Sequence, residues 1–241
     1  MNKKIEQLRV KIFSDGADRT NILEMHHKPY IKGWTTNPTL MRQEGVLDYQ
    51  AFAQEILALI PDQPISFEVL SDDFSEMEQQ ALQLASWGDN VYVKIPITNT
   101  RRETCHALVK RLAAQQVKLN ITAVMTLEQV RHITSALSPE VPCYISVFAG
   151  RIADTGLDPL PIMAEALEII KTNPLAELIW ASPRELFNIF QADAIGCHII
   201  TVTKDILKKL PLVGYNLEDY SLDTVKMFYN DAMAAGFELP R

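Results

Sequence analysis

Eight short apolar runs, each separated from the next by a stretch of helical spacing, constrain this chain more than any other feature of its sequence. The runs are "VKIFSD" (10–15), "IKGWTTN" (31–37), "ISFEVL" (65–70), "NVYVKIP" (90–96), "VKLNIT" (117–122), "CYISVF" (143–148), "AELIWAS" (176–182) and "CHIITV" (197–202). Between them lie stretches such as "LDYQAFAQEILALI" (47–60) and "SEMEQQALQLASW" (75–87), whose apolar residues recur three and four apart, as on one face of a helix. Strands that alternate with helices imply a parallel sheet, because parallel neighbours need a crossover between them. For 241 residues the economical solution is an α/β fold with the sheet closed, a single (β/α)₈ TIM barrel over 1–241 with a helical segment from about 204. A doubly wound open sheet is the runner-up. It more often carries a glycine-rich phosphate loop after its first strand, and the chain has no GxGxxG.

A barrel makes a parity prediction, since strand side chains alternate between the interior and the helix layer. In the fourth run Val91, Val93 and Ile95 share one parity, Tyr92 and Lys94 the other. Placing the apolar set against the helices puts Lys94 inside. The same rule turns Ser66 and Glu68 inward on the third run, Asn120 and Thr122 on the fifth, and Ser146 and Phe148 on the sixth. Asp15 shares parity with Phe13, and Thr35 and Asn37 share it with Gly33. A polar set from six strands therefore converges on one interior, mostly at strand C-terminal ends, where barrel enzymes keep their active sites.

The net charge of −7, from 30 acidic and 23 basic residues, argues against nucleic acid as a partner, which would need a basic face. It leaves room for an anionic small molecule, since two well-placed arginines suffice for a phosphate. Cys105, Cys143 and Cys197 are sparse, odd in number and far apart, which suits free thiols in a reducing compartment. The opening "MNKKIEQLRV" lacks a signal-peptide pattern, and no apolar run approaches the ~18–20 residues of a membrane span. A cytoplasmic protein with no membrane partner is expected.

Lys94 in a core strand has two explanations. It can snorkel its amine to water from near the strand end. Alternatively its amine is wanted dry: a buried lysine loses the solvation of its charged form, its pKa falls, and the free amine can attack a carbonyl to form a Schiff base. That chemistry needs proton transfers to make and lose water. Glu68, on the neighbouring strand, is the natural acid–base, and Thr122 could hold the water it activates. Asp15 could accept the proton of a substrate hydroxyl during C–C cleavage. Asn37, Asn120 and Ser146 offer neutral hydrogen bonds to sugar hydroxyls. The competing account of Glu68 and Asp15 is a structural ion pair with Lys94.

A phosphate site is also legible. "FAGRIAD" puts Arg151 past the sixth strand, and "WASPREL" puts Ser182 and Arg184 past the seventh, where Pro183 and Glu185 suit the first turn of a helix. A helix N-terminus with a serine and an arginine suits an anion. Either arginine alone would read as a surface ion pair; two at adjacent strand ends favour phosphate. The histidines show no metal-ligand spacing, and there is no GxSxG elbow or P-loop. His26 and His27 fit the end of the first helix.

The segments "GWTTNPTL" (33–40), "VYVKIPIT" (91–98), "LNITAV" (119–124) and "ISVFAGRIAD" (145–154) resemble the signature segments of transaldolases and the related fructose-6-phosphate aldolases. The resemblance runs from Asp15 to about Thr203. It implies a (β/α)₈ barrel of the class I aldolase type, with Lys94 as the Schiff-base lysine and Glu68 as an acid–base working through a water held by Thr122. It further implies that Asp15 deprotonates the C4 hydroxyl. Thr35, Asn37, Asn120 and Ser146 would line the donor pocket, while Arg151, Ser182 and Arg184 would hold phosphate. Sugar-phosphate substrates, no metal or organic cofactor, and assembly into a homo-oligomer are expected with it. Glu68 and Phe148 resemble the transaldolase branch, where the aldolase branch typically has Gln and Tyr. Two departures stand out: Gly16 follows Asp15 where the family commonly has Thr, as in Asp-Thr-Ala or Asp-Thr-Gly, and Trp34 stands in place of a smaller residue. By parity Trp34 should face the helices. Three readings stay open: a transaldolase transferring a dihydroxyacetone unit, an aldolase-like or specialised enzyme for an unusual sugar, and a catalytically silent sugar-phosphate-binding protein.

Overall fold

The computed structural model describes residues 5–237 and 239; positions 1–4, 238, 240 and 241 of the expected 1–241 domain lie outside the described residues. In chain order the elements are β1 (Lys11–Asp15), α1 (Arg19–His26), β2 (Ile31–Thr35), α2 (Pro38–Gln43), α3 (Tyr49–Leu59), β3 (Ile65–Glu68), α4 (Phe74–Ala85), β4 (Val91–Pro96), α5 (His106–Ala114) and β5 (Leu119–Val124). They continue with α6 (Leu127–Thr134), β6 (Cys143–Val147), α7 (Ala149–Asp154), α8 (Pro159–Ile170), β7 (Ala176–Trp180), α9 (Phe187–Ala194), β8 (Ile199–Thr203), α10 (Lys204–Leu207) and α11 (Leu217–Ala235). The strands pair in sequence order, all parallel, and β8 returns to β1 to close the barrel. Each falls within its apolar run, give or take two residues.

Side chains on the helix-facing parity form one apolar layer, including Ile12, Phe67, Val93, Ile121, Ile145, Leu178 and Ile200, all buried. Burying such a layer from water is the main term that holds a domain of this kind together. Trp34 belongs to it, as parity requires, and its indole N–H donates to Gln63 Oε1 at 2.6 Å. Inside the barrel a second apolar cluster joins Phe13, Tyr92, Tyr144, Ile179 and Ile199, with Phe148 packed against it. The Tyr92 and Tyr144 rings stack 3.9 Å apart, and Phe13 meets Tyr144 edge-on at 5.8 Å. Gly33 is required here: a Cβ on it would lie 2.6 Å from the Phe13 ring. These side chains form a closed floor. One step further along the strands, toward their C-terminal ends, the interior becomes polar.

Side-chain caps begin many of the helices. Asp18, Asn37, Asp48, Asp73 and Asp158 accept from first-turn amides, and Thr126 forms a capping box with Gln129. α11 is different: it has no buried residue, and Tyr220, Phe228 and Tyr229 are among its exposed apolar side chains. No helix among the described residues is long and apolar enough to cross a membrane.

Candidate active site

Lys94 and Glu68 stand opposite each other in the register of β3 and β4. Lys94 is 6% exposed, so its amine sits in the barrel rather than snorkelling out. Its Nζ donates to the Thr36 carbonyl at 2.8 Å and lies 3.4 Å from Glu68 Oε2. Thr36 is fixed in turn, its hydroxyl donating to the Ser66 carbonyl at 2.9 Å. The amine is thus held by one short hydrogen bond and one looser ionic contact. Its carboxylate neighbour keeps capacity for a further partner.

Asp15 ends β1 and is partly buried. Burial raises its carboxyl above the ordinary carboxylate range, while the charge of Lys94 and the Thr35 hydroxyl pull the other way. Thr35 Oγ1 donates to Asp15 Oδ1 at 2.7 Å, which uses its single hydroxyl proton. With Asp15 ionised, the contact between the Thr35 and Thr201 hydroxyls has Thr201 as donor. Thr201, on β8, was not among the residues expected from the sequence, although parity with the floor residue Ile199 points it inward.

The other polar residues are bound to one another. Ser146 Oγ donates to Asn120 Oδ1 at 2.7 Å, and Asn120 Nδ2 donates to Ser66 Oγ at 3.0 Å, making a buried belt across β3, β5 and β6. Thr122 is buried with its hydroxyl unpartnered among the described residues. Asn37 caps α2, its Oδ1 accepting from the Leu40 amide at 3.0 Å. Phe148, at the start of α7, packs on the apolar floor as its parity predicts.

The arginine-bearing segments, α7 and the loop leading to α9, follow β6 and β7. Gly150 and Ser182 bring them together, so closely that a Cβ at Gly150 would stand 1.5 Å from the Ser182 carbonyl oxygen. Ser182 itself takes φ 58°, a left-handed conformation that L residues adopt at a cost. Arg151 is exposed and, among the described residues, has no carboxylate partner. Arg184 does have one: its Nε donates to Asp154 Oδ1 at 3.0 Å, and its Nη2 also bonds the other oxygen. The expectation that Pro183 and Glu185 open a helix is corrected. α9 begins at Phe187, because the side chain of Asn188 takes the amides of Arg184 and Glu185 at 2.8 and 3.1 Å, the place a helix N-terminus would offer an anion.

Fold and site define a (β/α)₈ barrel with a buried lysine beside a partly buried carboxylate toward the C-terminal ends of its strands. Among solved structures, a putative lyase/mutase from Burkholderia cenocepacia J2315 superposes with a TM-score of 0.58 at 12% identity, covering 84% of this chain and 79% of that one. KGPDC from Streptococcus mutans gives 0.58 at 10% identity, covering 84% and 91%. Such likeness speaks for the fold alone. Sequence goes further. Residues 12–239 match the family described as transaldolase/fructose-6-phosphate aldolase. A probable transaldolase of Dehalococcoides mccartyi is 32% identical over 218 residues, 89% of this chain and 97% of the relative. One from Thermoanaerobacter sp. (strain X514) is 33% identical over 218 residues, 89% and 96% of the two chains. The chain belongs to the transaldolase/fructose-6-phosphate aldolase family and is an enzyme of that family.

Proposed function

We propose that the chain is a transaldolase, moving a dihydroxyacetone unit from a ketose phosphate to an aldose phosphate through a Schiff base on Lys94. The observation that carries this reading is the Lys94 amine, 6% exposed, between the Thr36 carbonyl and the Glu68 carboxylate at the polar end of the barrel. The amine adds to the C2 carbonyl, and Glu68 passes the protons needed to expel water and leave the imine. A water held by the Thr122 hydroxyl would serve that exchange; a buried hydroxyl with no protein partner is costly unless a small ligand meets it. Asp15 takes the proton of the C4 hydroxyl as the C3–C4 bond breaks, and the imine accepts the bonding pair as an enamine. The aldose phosphate leaves. An acceptor aldehyde then takes the enamine carbon, the oxygen formed recovers its proton from Asp15, and water frees the new ketose.

Thr35, Asn37, Asn120 and Ser146 bind the hydroxyls of the donor in this reading, and Arg151, Ser182 and Arg184 bind the phosphate. Phe148 supports transfer over free cleavage, because its ring brings no hydroxyl to the enamine. The reading extends to association of copies of the chain, for which the exposed apolar side chains of α11 are the supporting observation, and which light scattering reads directly.

The test is trapping with borohydride in the presence of fructose 6-phosphate, which should leave a reduced adduct on Lys94. Lys94→Met, of similar volume, should fold and neither trap nor turn over. An adduct on another lysine, or none with any ketose, removes the mechanism. Fructose 6-phosphate with and without erythrose 4-phosphate separates transferase from aldolase.

A further inference from the structure

Tyr49 lies outside the barrel, at the start of α3, yet its hydroxyl meets the backbone of Glu68 twice. It accepts from the Glu68 amide at 2.9 Å and donates to the Glu68 carbonyl at 2.9 Å. The reason lies in how β2 ends. Along the β2–β3 ladder, the Trp34 amide bonds the Pro64 carbonyl and the Thr36 amide bonds the Ser66 carbonyl. One step on, the Glu68 carbonyl would need the amide of residue 38, and the Glu68 amide would need the Thr36 carbonyl. Residue 38 is proline and has no N–H, and the chain there turns into α2. The Thr36 carbonyl is given to Lys94 instead. Glu68 is left with an unpaired peptide at a strand end, and the Tyr49 hydroxyl fills both places.

The phenol is suited to this. Its ring packs edge-on against Phe67 at 6.1 Å and at a tilt against Trp87 at 6.0 Å, so the hydroxyl has little freedom. Burial pushes its ionisation well up, so it keeps the proton that it donates. We infer that Tyr49 is a positioning residue for the Lys94–Glu68 pair: it substitutes for the missing strand neighbour of Glu68, releasing the Thr36 carbonyl to hold the Lys94 amine and setting where the Glu68 carboxylate stands. The inference rests on the proposed acid–base role of Glu68.

A double-mutant cycle tests it with Tyr49→Phe, Glu68→Gln and the pair of changes, each assayed for turnover and for the rate of borohydride-trappable adduct on Lys94. Tyr49→Phe keeps the ring and removes both hydrogen bonds. It should lower kcat and the trapping rate together by about three- to ten-fold, the scale of one or two neutral hydrogen bonds, with KM little changed. In the Glu68→Gln background the same change should cost markedly less on both rates, because one of the two positioned groups, the Glu68 carboxylate, is gone while the Lys94 amine remains. A Tyr49→Phe loss of equal size in both backgrounds, or no loss in the wild-type background, overturns the inference. If Glu68→Gln alone leaves both rates intact, it is the acid–base role of Glu68 that fails. Thermal unfolding of each variant shows whether the protein remained folded.

Discussion

Arg184 grips Asp154 at two points, joining the loop after β7 to the end of α7 across the rim of the barrel. A surface ion pair of this kind is one of the two accounts that the sequence allowed for the arginine. The pair is half-exposed on both sides, so it is screened by solvent and contributes little to stability. An arginine has five N–H donors and Asp154 engages only part of them.

Arg184→Ala therefore discriminates between the accounts. If the guanidinium also binds phosphate, KM for sugar phosphates should rise by about ten- to a hundred-fold, the scale of a lost charge-assisted hydrogen bond, while unphosphorylated ketoses are scarcely affected. Steady-state kinetics on both substrate types reads this. Equal losses would assign Arg184 to the ion pair with Asp154 alone.

Gly150→Ala should be among the most damaging small substitutions in the molecule. The added carbon would sit 1.5 Å from the Ser182 carbonyl oxygen, so α7 and the loop after β7 must part. Overpacking of this kind costs about 1–3 kcal/mol or more. Thermal melting should record it, and the affinity for phosphorylated substrates should fall with the displacement of Ser182 and Arg184. At Gly16 a Cβ meets nothing within 4 Å, so Gly16→Thr should melt close to wild type.

Asp15→Asn should abolish cleavage and alter how stability depends on pH. The native carboxyl holds its proton more firmly than an unfolded one does, since burial raises it from 3.8. The native state then binds more protons than the unfolded state between the unfolded value and the raised one, and stability falls as pH rises through that window. The contribution is present below the window and lost above it. Asn carries no such term, so the melting temperature of the variant should gain on wild type as pH rises through the window. Melting curves at a series of pH values check the sign; a variant that loses ground would mean that the pull of Lys94 and Thr35 outweighs burial.

Phe148→Tyr places a hydroxyl against the apolar floor of the barrel interior. In the proposed reaction it gives the enamine a nearby proton donor, and release of free dihydroxyacetone from fructose 6-phosphate should rise relative to transfer. Product release measured with and without an acceptor aldose phosphate gives the ratio. A wild type that releases dihydroxyacetone as fast without acceptor as with it would be an aldolase.

What could be read in advance was whatever has a period. Strand alternation puts Phe13, Tyr92 and Tyr144 inside, with Lys94, Glu68 and Asp15, and Ile12, Val93 and Ile145 outside, from spacing alone. What could not be read were bonds made by backbone or by side chains distant in sequence. The Thr36 carbonyl has no side-chain signature, yet it holds Lys94. Tyr49 reads as one more apolar position on an amphipathic helix, and nothing in its neighbours announces that its hydroxyl replaces a strand. The start of α9 went astray for the same reason: Pro183 followed by Glu185 suits a first turn, but Asn188 competes for the amides that such a turn would expose.

The pairing of β1 with β8 runs from Lys11 opposite Ile199 to Asp15 opposite Thr203, so the first strand finds its second neighbour only in the last. Contacts this distant are slow to form, because the entropy of closing the loop must be met before they stabilise anything. During synthesis β1 waits with one edge open until β8 emerges, and β7 waits with it, two rows of unpaired peptide groups of the kind that recruit other chains. Asp15 lies on one side of that seam and Thr201 on the other. A chain stopped short of β8 would lack the Thr201 hydroxyl that meets Thr35, and would carry both of those open edges into the aggregation that threatens any unfinished barrel.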